Sequence, residues 1–177
     1  MSFKEQMLEK LALIWWSLRG DKLPQKISIP NTGLRAQHLA VILPPDFEDF
    51  DVARYAFDQL LDKLQPYRCT VIIRDNFRSW INPASGIKFL TYNPEHKNLL
   101  GFPENRVKQD VHNLDADVVI DLTPHFTQFT AGLVAASHAP LRISLAKEHA
   151  NQFFNLIVHP ARGRSLQEQY FVLLSHI

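Results

Sequence analysis

The sequence predicts an α/β domain, a Rossmann-like three-layer α/β/α arrangement around a mostly parallel six-stranded sheet, preceded by an N-terminal amphipathic helix. Two observations lead there. Short apolar segments alternate with amphipathic helical stretches, the pattern of βαβ units joined by right-handed crossovers. The candidate strands are also apolar throughout rather than alternating, as strands covered on both faces should be. Val-Ile-Leu at 41–43, Val-Ile-Ile at 71–73, Val-Val-Ile at 118–120 and Leu-Ile-Val at 156–158 all fit.

Residues 2–19 carry Phe3, Met7, Leu11, Ile14, Trp15 and Leu18 at spacings of three and four, which predicts the first helix. Gly20 stops it. The stretch 20–37 contains Pro24, Pro30, Asn31 and Gly33 and reads as a connector, so the expected division is 1–37 for helix and connector and 38–177 for a single domain. His38–Leu43 is the first strand, ended by Pro44-Pro45. The acidic run Asp46–Asp51 can cap the next helix, whose buried side is marked by Val52, Tyr55, Ala56, Leu60, Leu61 and Leu64. Cys69–Ile73 is the second strand and Gly86–Tyr92 holds the third. A short helix over Glu104–Leu114 leads to strand four, Asp117–Leu122. The next helix is defined by Phe126, Phe129, Leu133 and Ala136, with Thr123 as its N-cap and Pro124 at its first position. Leu141–Leu145 and Phe154–Val158 are strands five and six, separated by a helical turn at 147–153. A last helix spans Ser165–Ile177, with Ser165 and Glu168 spaced as a capping box.

Composition narrows the function classes. The 177 residues are 46% hydrophobic and 21% charged, enough for a real core. A net charge of +1 gives no broad footprint for nucleic acid, which is therefore not an expected partner. The single cysteine, Cys69, lies in an apolar strand and reads as a buried hydrophobe, excluding an intrachain disulfide and a multi-cysteine zinc site. No secretory signal or apolar run of spanning length is evident, so a reducing cytoplasm is expected. Eight histidines form no H-x-x-x-H or H-E-x-x-H pattern, so no metal is expected. No glycine-rich turn follows strand one, so the dinucleotide fingerprint is absent and no cofactor is expected, and the G-x-S-x-G elbow of a hydrolase is absent as well.

Open parallel sheets bind ligands beyond the C-terminal ends of their strands, where the chain order reverses. Three groups of residues should lie there. Asp46, Glu48, Asp49 and Asp51 follow strand one, and a carboxylate among them with a raised pKa could take a proton from a sugar hydroxyl. Asp46 and Asp49 are the candidate catalytic residues; the plainer reading is helix capping. Asp121, Thr123 and His125 follow strand four, and could pair as acid and base or hold a polar ligand. Arg74, Asp75, Asn76, Arg78 and Trp80 follow strand two; Arg74 and Asn76 are candidate ligand contacts, against the plainer reading of an exposed loop. Trp15 and Trp16 with Arg19, Lys22 and Lys26 leave open peripheral membrane contact, packing across the domain, or docking on a partner or second copy.

Asp115-Ala116-Asp117-Val118-Val119-Ile120-Asp121-Leu122, the helix with Ala131-Gly132-Leu133-Val134-Ala135-Ala136-Ser137, and the strand Leu141-Arg142-Ile143-Ser144 together resemble the N-terminal half of family 9 glycosyltransferases, the ADP-heptose–lipopolysaccharide heptosyltransferases. Those proteins read D-x-V-I-D-L, an alanine-rich helix, then R-I-G; the resemblance runs from about His38 to Val158. The last third, with Phe153-Phe154-Asn155-Leu156-Ile157-Val158 and Leu166–Leu174, also resembles a small stand-alone bacterial family, mostly from Bacteroidetes, of unknown function. The first resemblance implies a glycine-aspartate pair after strand one, its aspartate acting as base toward the acceptor sugar. This chain instead reads Pro44-Pro45-Asp46-Phe47-Glu48-Asp49, and R-I-G has become Arg142-Ile143-Ser144. It also implies a second domain binding the nucleotide sugar, which would begin about where this sequence ends, at Ile177. The expectation is thus a stand-alone, non-catalytic relative of the acceptor-side half, binding a sugar, a nucleotide or a protein partner. Two alternatives stand beside it: a heptosyltransferase-like enzyme completed by a separate subunit, and a peripheral membrane or assembly protein.

Overall fold

The computed structural model of the chain describes residues 3–19, 38–59, 61, 68–82 and 87–175. The predicted connector over 20–37, Gly86, Leu60, Leu64 and His176–Ile177 lie outside the described residues. Six strands form one sheet: β1 His38–Ile42, β2 Arg68–Arg74, β3 Ile87–Tyr92, β4 Val118–Asp121, β5 Leu141–Leu145 and β6 Leu156–Val158. Their order is β3-β2-β1-β4-β5-β6 and every pairing is parallel. The helices are α1 Phe3–Arg19, α2 Phe47–Asp58, α3 Asn105–His112, α4 Gln128–Ala136 and α5 Leu166–Ser175. Short 3-10 turns cover Asp75–Trp80 and Ala150–Gln152. The sheet predicted as mostly parallel is wholly parallel.

The strand order explains where a site can form. The chain moves outward from β1 to β3, then returns to place β4 beside β1 and moves outward to β6. Ile42 and Asp121 are register partners at the C-terminal ends of the two central strands. The order reverses between them, which opens a crevice beyond that edge.

Continuous burial of β1, β4 and β5 follows from helices on both faces. Alternate residues of each strand feed two separate cores. Leu39, Val41, Val71, Ile73, Val118 and Ile120 pack under α2 and α5. Ala40, Ile42, Ile72 and Val119 pack under α3, α4 and α1. Helix α1 adds Ala12 and Trp16 to the second core, Trp16 lying 5.7 Å from Phe102 and 5.0 Å from Phe153 between ring centroids. Its other side exposes Met7, Leu11, Ile14 and Leu18.

Local chemistry sets the helix ends. At α5 the backbone N–H and hydroxyl of Ser165 both donate to Glu168 Oε2, at 2.7 and 2.8 Å, and the Glu168 N–H returns to Ser165 Oγ, the expected capping box. Two predicted caps are corrected. Asp46 occupies the N-cap position of α2, yet its side chain caps nothing. Helix α4 begins at Gln128, not after Thr123; Thr127 is its N-cap, accepting from the Thr130 N–H at 3.1 Å. The Thr123 hydroxyl is taken by Asp121 instead. The stretch after β2, read as a loop, is a 3-10 helix around buried Phe77. Cys69 is buried in β2, and burial pushes its thiol up to about 12.

Candidate functional site

Residues from the C-terminal ends of five strands surround the reversal point. Asp121, the last residue of β4, is buried and ion-paired with Lys147, two residues beyond β5. The Lys147 Nζ donates to Asp121 Oδ2 at 2.8 Å and to the Thr123 carbonyl at 2.7 Å, and the two side chains are only 1% and 3% exposed. The other carboxylate oxygen, Oδ1, accepts the Thr123 N–H at 2.9 Å and the Thr123 hydroxyl. The Asp121 carboxylate therefore accepts three hydrogen bonds, and the lysine's bond to the Thr123 carbonyl closes the turn around it. Such a carboxylate braces the crevice; it is not free to act as a base. Behind it, the buried Tyr170 of α5 donates its hydroxyl to the Leu122 carbonyl. Burial, then the negative charges of Asp49 and Asp121, push that phenol far above its ordinary range.

Asp49 lies in the first turn of α2 and is half-buried. Loss of water raises its carboxyl above the usual value, aided by Asp46 and Glu48, while the nearby His125 pulls it down. The acidic loop after β1 and the polar turn after β4 thus face one another across the reversal point. Asp46 and His125 are exposed; Asp46 acts electrostatically on Tyr92.

Arg74 and Tyr92 end β2 and β3 as register partners. The Arg74 Nη1 donates to the Pro45 carbonyl at 3.1 Å, and its guanidinium lies 5.5 Å from the Phe77 ring centroid. Its Nε is buried without a partner among the described residues, and so is the Tyr92 hydroxyl. Tyr92 is 4% exposed. Burial is the main cause of its strongly raised pKa; Asp121, Asp46 and Asp75 add to it and Arg74 opposes. Asn76 stands exposed in the 3-10 helix, its N–H on Asp75 Oδ1 at 2.8 Å, with no side-chain bond to the cluster among the described residues.

The structure thus gathers Asp46, Asp49, Arg74, Asp121, Thr123 and His125 along one edge and leaves Asn76 aside. Sequence reading missed Lys147, Tyr92 and Tyr170. The first two follow or end a strand at the same edge, a positional signal that was available; Tyr170 reaches in from α5 and had none. Among the described residues no group of three or more metal-ligating side chains occurs, and no helix is long and apolar enough to cross a membrane.

No protein-family model matches the chain, and no curated protein matches it by sequence. Solved structures do match. The crystal structure of the glycosyl transferase family 9 from Veillonella parvula DSM 2008 aligns with a TM-score of 0.58 at 18% identity, over 79% of this chain and 40% of that one. E. coli heptosyltransferase WaaC with ADP aligns with a TM-score of 0.57 at 12% identity, over 78% of this chain and 46% of that one. The same enzyme with ADP-2-deoxy-2-fluoro heptose gives 0.51 at 12% identity. The chain spans less than half the length of these neighbours. Its fold is that of a Rossmann-like α/β unit similar to part of family 9 glycosyltransferases.

Proposed function

We propose that the chain is a ligand-binding domain of glycosyltransferase family 9 type, non-catalytic on its own, which takes a sugar- or nucleotide-like ligand in the crevice between the loops after β1, β2 and β4. The observation that carries this reading is the pair Arg74 and Tyr92. Buried polar groups without partners are rare and costly, and two of them on register partners at a strand edge would take an acceptor oxygen, from a water in the free chain and from a ligand that displaces it. Asp46, exposed and close enough to act on the same tyrosine, adds an acceptor to these donors. That mixture suits a polyhydroxylated ligand better than a bare anion. The commitment of Asp121 to Lys147 and Thr123, and the Pro-Pro-Asp turn in place of a glycine-aspartate pair, support the non-catalytic half of the reading.

Thermal unfolding with a panel of sugars, sugar phosphates, nucleotides and ADP-sugars tests it. A ligand at 100 times its dissociation constant stabilises by about 2.7 kcal/mol. Stabilisation that disappears in Arg74→Ala supports the reading; no shift with any member of the panel contradicts it.

Asp49 favours a second reading, glycosyl transfer completed by a separate nucleotide-sugar-binding subunit. A half-buried carboxyl with a raised pKa is suited to accept the proton of an attacking sugar hydroxyl while the nucleoside diphosphate leaves with the bond electrons. Activity with such a subunit that Asp49→Asn abolishes would select it.

A further inference from the structure

A second concave surface lies apart from the crevice. Helices α1, α3 and α4 enclose a cleft of about 490 Å³, within the roughly 300–1,000 Å³ of small-molecule sites. No residue of the crevice lines it. Its walls are the rings of Trp15, Trp16 and Phe102, and Trp15 and Phe102 lie 6.0 Å apart between centroids. Among the described lining residues Lys108 is the charged side chain, His112 and His138 are also polar, and none is a carboxylate. Lys108 and His112 are one helical turn apart on α3, so they share a face. Glu104 and Asp110, the carboxylates beside them in sequence, do not line the cleft. Lys108 has no ion pair among the described residues.

We propose that this cleft binds a small amphipathic anion, an apolar body carrying one carboxylate, sulfonate or phosphate group. The aromatic walls take the body, because flat rings bury area at little entropic cost and tolerate varied apolar shapes. Lys108 takes the head group, with the two histidine rings, 4.9 Å apart between centroids, beside it. The Lys108 ammonium favours an anion over a cation or a neutral apolar ligand of equal size.

Two dyes with the same ring system test this on the full chain. 8-Anilinonaphthalene-1-sulfonate carries the anionic group and N-phenyl-1-naphthylamine lacks it. Affinities are read from dye emission and from energy transfer out of the tryptophans. The wild-type chain is expected to bind the sulfonate about tenfold more tightly than the neutral dye, the usual size of a charge-assisted bond. Lys108→Glu removes that preference and leaves the neutral dye unchanged. Ala136→Phe, which fills the floor of the cleft, abolishes binding of both. Equal wild-type affinities, an unchanged preference in Lys108→Glu, or undiminished binding in an Ala136→Phe variant with native circular dichroism would each overturn the proposal. So would a dimer in sedimentation that Ala136→Phe dissociates, since the cleft would then be an interface between copies. Lys108→Glu alone decides the matter if Ala136→Phe does not fold.

Discussion

Asp121 and Lys147 form an ion pair at 2.8 Å in which neither side chain is more than 3% exposed. The pair ties the end of β4 to the segment after β5, next to the point where strand order reverses. It fixes the turn at Thr123 and, through that turn, the wall of the crevice that carries His125.

Removing one member leaves a buried charge unpaired. Asp121→Asn is expected to destabilise the fold by about 3–5 kcal/mol. Replacing both by apolar residues, as in Asp121→Leu with Lys147→Met, costs less than either single change. A double-mutant cycle in urea denaturation measures this; additive losses would show that the pair acts as two independent groups.

Gly132 permits the approach of α4 to the Phe102-Pro103 segment. A Cβ there would sit 2.4 Å from Pro103 Cδ, in a well-packed core. Gly132→Ala is expected to lower stability by about 1–3 kcal/mol despite the better helix propensity of alanine. A gain in the denaturation midpoint would show that the contact relaxes freely.

Asp49 makes stability fall with rising pH. Its carboxyl is raised in the folded state, so the folded chain holds a proton more tightly than the unfolded chain. The stability linked to that proton is full below the ordinary value of 3.8 and is lost as pH rises through the higher folded value. Asp49→Asn is therefore expected to raise the melting temperature at pH 7 relative to wild type, with the gain shrinking toward pH 3. A melting temperature lowered at pH 7 would mean that the charged carboxylate is stabilising.

Cys69 is buried and its thiol is pushed up to about 12. The thiolate is the reactive form, so Ellman's reagent at pH 8 is expected to label no thiol in the native chain and one in guanidinium. Fast native labelling would contradict the burial of β2.

The sheet was legible because burial on both faces writes itself as runs of branched apolar residues; Leu141–Leu145 appears in the structure with its predicted bounds. The capping box at Ser165 was legible because its chemistry is local. Thr123 was misread for the opposite reason. Thr-Pro looks like a helix start in isolation, but a carboxylate two residues earlier captures the hydroxyl once Lys147 holds that carboxylate in place. Candidate residues after β1, β2 and β4 could be named from their position at strand ends. Tyr92 shared that positional signal, but its idle buried hydroxyl shows only when β3 is laid beside β2. Tyr170 lies 48 residues from the carbonyl it serves.

The central claim is that the Arg74 and Tyr92 donors serve a ligand at the edge of the crevice, and Tyr92→Phe tests it most directly. Removing an unpartnered buried hydroxyl relieves its desolvation, so the variant alone is expected to be more stable by about 1 kcal/mol, roughly 2–4 °C in melting temperature for a chain of this size. The same variant is expected to lose most of the stabilisation that the sugar and nucleotide panel gives the wild type. A variant less stable than wild type, or one stabilised equally by the panel, would contradict the account.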